Sequence, residues 1–223
     1  RYEMFPMGHA RIIQMGRPSL RHVPEGGKNE WWDNELRRWG LDPDSYPDYE
    51  SKALKGWRDL KAAKRRLWKE KGYHHYEFLT DEELTESPFQ TVFPNIAFGA
   101  SSDNFGLFRW EPHATDPEKC YFDLWSMAYP VQGKADYVHR TASRALKFEE
   151  AEFDFREYDN GQGVLDLSDQ VVFQDWQLNA GQKTGWHSRG YQEPYLAAQE
   201  TRVRRFHEVL HDYLNGNPPG RPG

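Results

Sequence analysis

Asp175 and the pair His207 and His211 are the residues whose types and spacing could do chemistry. His207-Glu208-Val209-Leu210-His211 matches H-E-x-x-H, which on a helix sets two imidazoles on one face beside a glutamate general base for zinc-dependent hydrolysis. Zinc needs a third protein ligand, and the twelve residues after His211 contain neither His nor Glu. The extended motif fails as well, because Leu214 and Asn217 stand where its glycine and third histidine belong. Apolar Phe206 and Leu210 run through the same segment, so the histidines flank a packing stripe and the match reads as accidental.

Asp175 is more informative. It follows Val171 by four residues and Val172 by three, and precedes Leu178 by three, which at helical period turns its carboxylate inward. Burying an unpaired carboxylate is costly. A salt bridge or hydrogen-bonded core acid is the plain resolution, and a metal ligand the other. Gln174, Asn179 and Gln182 could surround either one. Asp166 and Asp169 fall where the helix begins, and capping accounts for them. His74-His75 and His113 read as surface or turn residues, while His9, His22, His139 and His187 are isolated. Ser188 lacks a G-x-S-x-G setting, and no glycine-rich phosphate loop occurs.

The elements that must position these residues are built from unusual material. Of 223 residues only 37% are hydrophobic, yet 15% are aromatic, with 9 Trp, 12 Tyr and 13 Phe. A mean hydropathy of -0.96 would suit a disordered chain, but disordered chains are poor in aromatics. Large flat side chains therefore build the core and could line a pocket. A formal charge of -6 gives no overall attraction for nucleic acid or an anionic membrane. The lone Cys120 supports neither an internal disulfide nor a multi-cysteine metal site, so a reducing, cytoplasmic setting is expected. The sequence shows no secretory signal and no apolar run long enough to span a membrane. It opens on Arg1-Tyr2-Glu3-Met4-Phe5, without an initiator methionine, and is read as a piece of a longer protein.

The pattern predicts a strand at 10–14, then an excursion over 17–48 holding one short helix around Trp31, Trp32, Leu36 and Trp39. A helix follows from Tyr49 to Lys71, with Leu54, Trp57, Leu60, Ala63 or Lys64, Leu67 and Trp68 as its inward stripe. Lys64-Arg65-Arg66 reads as its solvated face. Aromatic runs at 91–93, 95–98, 105–110 and 121–127, parted by turn residues, predict an antiparallel meander. Two helices, over 167–186 and 194–215, would cover one face of it. The expected architecture is one α+β domain over residues 1–216 with a flexible tail at 217–223.

Three segments together carry a family resemblance: Gly8-His9-Ala10-Arg11 with Gly16-Arg17-Pro18-Ser19, Phe93-Pro94-Asn95-Ile96, and Arg109-Trp110-Glu111-Pro112-His113-Ala114-Thr115-Asp116-Pro117. Gln174-Asp175, Gly185-Trp186-His187-Ser188-Arg189-Gly190-Tyr191 and Phe206-His207-Glu208-Val209-Leu210 extend it. The whole resembles the catalytic domain of the α subunit of Rieske-type aromatic-ring-hydroxylating oxygenases.

The resemblance implies a helix-grip fold, in which a curved antiparallel sheet packs against long C-terminal helices over a substrate cavity. It also implies a mononuclear Fe(II) held by two histidines and one carboxylate, with Asp175 at the carboxylate position. Electrons would come from NAD(P)H through a reductase or ferredoxin and a 2Fe-2S Rieske cluster on an N-terminal domain absent from this chain. Partners would be O2 and an aromatic or other apolar substrate, as in aromatic hydrocarbon catabolism, within a homotrimer or α3β3 assembly. The Rieske ligands are missing here, and the family's histidine pair precedes the stretch matching Tyr2 to Arg11. The fragment alone is therefore expected to be inactive. A non-enzymatic carrier of hydrophobic ligands with the same fold is the alternative.

Overall fold

Six strands pair in chain order, each antiparallel to the next: β1 (Tyr2–Met4), β2 (Ala10–Gln14), β3 (Ser87–Val92), β4 (Ile96–Ala100), β5 (Asn104–Pro112) and β6 (Cys120–Ala128). The computed structural model describes residues 2–21, 23–134, 136–137, 146–147, 149–150, 178–179, 181–192 and 195–217. The chain divides into two compact units, and the sheet belongs to the one formed by residues 1–133 and 198–223. The predicted meander is its β3–β6 portion.

Register places Tyr2, Ile12, Phe89, Gly99, Gly106 and Ser126 in one row across the sheet. The next row on the same face runs through Phe108, with Ala97 and Leu124 as its cross-strand partners. Gly99 makes room for the cross-strand ring, since a Cβ there would come 2.9 Å from the ring edge of Phe89, which would have to shift.

The excursion between β2 and β3 holds α1 (Glu30–Arg38) and α2 (Tyr49–Leu67). Each is opened by a side-chain cap, Asn29 accepting from the Trp32 amide at 3.1 Å and Asp48 from the Ser51 amide at 2.6 Å. Trp32, Leu36 and Trp39 of this excursion pack with Leu60, Ala63, Tyr73, Tyr76 and Leu84 in one fully buried cluster. Each large side chain withdrawn from water there contributes about 2–3 kcal/mol.

The inward stripe of α2 differs from the expected one. Lys52, Ala53, Gly56, Leu60, Ala63 and Lys64 are buried, whereas Leu54, Trp57 and Leu67 are only half-buried. Small residues face α1 because its bulky side chains need close backbone approach: the Cβ position of Gly56 lies 3.7 Å from Leu36 Cδ1. The solvated-face reading of Lys64-Arg65-Arg66 holds only for Arg66. Lys64 is buried, and Arg65 hydrogen-bonds the carbonyls of Tyr76 and Leu79 at 3.0 and 2.6 Å.

The last helix, α3 (Thr201–Leu214), starts later than the predicted Pro194, after a short 3-10 turn at Ala198–Glu200. Arg205 and Val209 are its buried residues, and Val203 and Leu214 of the expected stripe are exposed. In the second unit, residues 134–197, a two-strand ladder joins β7 (Asp136–Tyr137) to β8 (Leu146–Lys147), and residues 181–186 are helical. Leu178 and Trp186 are exposed there, and Asp175 lies outside the described residues. Sheet and helices together place the molecule in the α+β class.

Candidate functional site

The two faces of the sheet differ in chemistry because strand side chains alternate. One face carries the Glu3–Arg11 and Arg109–Asp123 ion pairs, the latter at 2.7 Å, with the Arg109 guanidinium 5.2 Å from the Trp125 ring centre. The other face is apolar. Phe108, Trp110 and Phe122 form an aromatic triad on it, with ring centres 6.1 Å (Phe108–Trp110), 5.3 Å (Trp110–Phe122) and 6.0 Å (Phe108–Phe122) apart. Leu124, Ala97, Thr91, Phe89, Ile12 and Met4 continue it through the register. Trp110, Leu124 and Phe89 remain 41, 40 and 39% exposed, so this face presents apolar surface to solvent.

One end of that face is closed by three segments. His9 Nδ1 accepts the backbone N–H of Phe93 at 3.0 Å, which ties the β1–β2 turn to the β3–β4 turn. The Phe93 ring stacks on Tyr213 of α3 at 5.4 Å and leans on Phe206 at 5.3 Å. Gly8, at φ +80°, lets this contact form, since a Cβ there would lie 3.1 Å from Phe93 and 3.2 Å from Val209. Asn95 donates to the Trp110 carbonyl at 2.9 Å and accepts from its N–H at 3.0 Å through its own carbonyl. The aromatic triad is thereby fixed to the same turn.

At the other end a buried polar network joins the helices to the β4–β5 turn. Lys64 Nζ lies 3.0 Å from Glu35 Oε1, and donates to the Leu84 carbonyl at 3.0 Å and to Ser102 Oγ at 3.2 Å. Asp103 accepts from the Tyr76 hydroxyl and from Ser102, and pairs with Arg38 at 3.2 Å. Burial pushes the Asp103 carboxyl up, but the Lys64 and Arg38 charges and the two hydroxyls overcome it and hold it below the ordinary carboxylate range. Burial and the Asp103 charge push the Tyr76 hydroxyl up, so it stays a neutral donor. Sequence reasoning missed this network; its one signal was Lys64 competing with Ala63 for an inward position.

The other residues singled out by sequence do not converge. His113 Nδ1 accepts the amides of Thr115 and Asp116 at 3.4 and 3.1 Å, a turn role as expected. His75 Nε2 lies 2.8 Å from the Ser102 carbonyl. His207 and His211 are exposed on either side of buried Val209, in keeping with the flanking positions read from the pattern. Among the described residues no group of three His, Cys, Asp or Glu could hold a metal ion. The described residues therefore do not compose an iron site by themselves.

An aromatic sheet face on an α+β scaffold is the context in which the comparison with known families decides. The family model for the ring-hydroxylating α subunit, catalytic domain, matches residues 5–216. The chain belongs to that family. Comparisons with curated proteins and with solved structures return no significant match. As a ring-hydroxylating α-subunit catalytic domain it is an oxidoreductase of the oxygenase type. No helix among the described residues is long and apolar enough to cross a membrane.

Proposed function

We propose that this chain forms the substrate-facing part of a Rieske non-haem iron oxygenase that hydroxylates an aromatic or other apolar molecule. The observation that supports the reading is the apolar sheet face built on Phe108, Trp110 and Phe122, within a chain matched to the family over residues 5–216. A flat apolar substrate would exchange water for that face, and the Phe93–Asn95 turn would limit how far it slides toward α3.

Asp175 is the residue we assign as the carboxylate ligand to Fe(II), the two histidine ligands being those that in the family precede the stretch matching Tyr2 to Arg11. The iron, when bound, supplies dioxygen activation. This chain's own described residues bind and orient the substrate and exclude water. Electrons reach the site in this reading from NAD(P)H by way of a reductase or ferredoxin and a 2Fe-2S Rieske cluster on an N-terminal domain. Residues 1–216 then form the C-terminal part of the catalytic domain in a helix-grip arrangement, residues 217–223 a tail, and the assembly is a cytoplasmic homotrimer or α3β3 complex.

The test is the iron and acid-labile sulfide content, per chain, of the gene product as its own cell makes it, purified without oxygen. About three irons and two sulfides are expected, one two-iron cluster plus one mononuclear site. An intact product with neither iron nor sulfide would overturn the reading in favour of a hydrophobic-ligand carrier. Asp175→Ala separates the two independently, because an oxygenase loses its mononuclear iron and a carrier keeps its ligand affinity.

A further inference from the structure

The outer side of α2 is a strip of positive charge in an acidic molecule. Residues 49–71 contain nine Lys or Arg against three Asp or Glu, within a chain of formal charge -6. Two of these cations are buried, Lys52 pairing with Asp33 at 2.7 Å and Lys64 with Glu35 at 3.0 Å, and two more are paired nearer the surface, Lys55 with Asp59 at 2.7 Å and Arg65 with Asp81 at 2.8 Å. Lys55, Arg58, Lys61, Arg65 and Arg66 fall on the opposite side of the helix, the first four at three- and four-residue steps with Arg66 next to Arg65. Arg58 and Arg66 are exposed and have no acidic partner among the described residues.

This strip is not flat. Arg58, Lys61, Ala62, Arg65 and Arg66 line a surface concavity of about 500 Å³ whose far wall is Asp81 and Glu82. From Lys55 to Arg66 the cations extend over roughly 16 Å of helix, the length of one short helix or strand of another protein.

We propose that this face of α2 docks an acidic helix or strand of a partner protein. Arginine forks suit discrete carboxylates, which they grip in pairs. The concavity favours a protein over a polyphosphate chain, because Asp81 and Glu82 would repel a continuous run of phosphates but can be avoided by carboxylates spaced along a folded element. Nor does the strip offer bases a stacking platform: the Trp57 ring nearest to it is half-buried, with Lys61 Nζ 4.4 Å from its centre. The proposal is independent of the reaction assigned above.

The experiment titrates the full chain against a fluorescent helical peptide whose glutamates recur at three- and four-residue steps, at 20 and 200 mM salt, read by anisotropy. Binding that weakens with salt is expected, with a loss of at least tenfold in Arg58→Glu/Arg66→Glu and a smaller loss in Arg58→Ala/Arg66→Ala. The control Arg21→Glu/Lys28→Glu makes the same charge change at exposed positions outside α2 and should bind within about twofold of the parent. Equal losses in the control and test variants, or no binding by the parent, would overturn the proposal. So would tighter binding to single-stranded DNA of equal charge or to phosphatidylserine vesicles, which would make the partner a nucleic acid or a membrane.

Discussion

Lys64 Nζ sits 3.0 Å from Glu35 Oε1 in an interior shared with Trp39, Tyr76 and Ser102, and this pair fastens α2 to α1 beneath the sheet's β4–β5 turn. A lysine so enclosed tolerates its charge only because Glu35 and two oxygen acceptors, the Leu84 carbonyl and Ser102 Oγ, receive its three protons.

Replacing Lys64 with methionine keeps the stem's packing but leaves Glu35 with only Trp39 Nε1 at 3.2 Å and Arg38 at 3.5 Å, and deprives Ser102 and the Leu84 carbonyl of their ammonium donor. The expected cost is about 3 kcal/mol in a urea melt, since one partner of a buried pair is removed and the other is left. A loss under about 1 kcal/mol would mean that Arg38 takes over Glu35 and that the network is redundant.

Acid should loosen the same joint through Asp103. Its folded carboxyl titrates below the ordinary carboxylate value, so its contribution is fully present above about pH 4, the unfolded value, and is lost as pH falls through the lower folded value. Thermal melts from pH 2 to 6 should show this decline in the parent and a shallower one in Asp103→Asn. Identical slopes would remove Asp103 from the account.

Gly8→Ala should unseat α3. Its Cβ would lie 3.1 Å from Phe93 and 3.2 Å from Val209, at a backbone angle that L residues rarely adopt, so about 2 kcal/mol of destabilisation is expected. Hydrogen exchange should rise first in 201–214, and uniform protection there would contradict the joint.

Trp110→Ala tests the binding face. Under the proposed function it should lower kcat/KM for an apolar substrate by roughly ten- to a hundredfold, as expected for a lost large apolar contact, while iron content stays at the parent level. Unchanged kinetics would move the substrate off this face.

Much of the scaffold was legible because its rules are local. Aromatic runs broken by Ser101-Ser102-Asp103-Asn104 and by Thr115-Asp116-Pro117-Glu118 read as strands and turns, since alternation and turn chemistry are properties of neighbouring residues. Helix α1 and most of α2 were legible from the spacing of their apolar residues, with Gly72 as the stop signal after α2. The inward side of α2 was misjudged by part of a turn. A hydrophobic stripe favours Leu54 and Trp57, but close contact with Trp32 and Leu36 selected Ala53, Gly56 and Ala63 instead.

The sequence by itself determined the antiparallel meander, the start of α2, the aromatic make-up of the strands, and a family resemblance that the match over residues 5–216 bears out. Tertiary structure alone decided which aromatics meet, as Phe93 does with Tyr213 across 120 residues of chain, and which lysines are buried. The physical reason is range. Periodicity and turns follow from bonded neighbours, whereas the partner of a buried charge or ring is chosen by packing between segments whose separation the pattern does not encode.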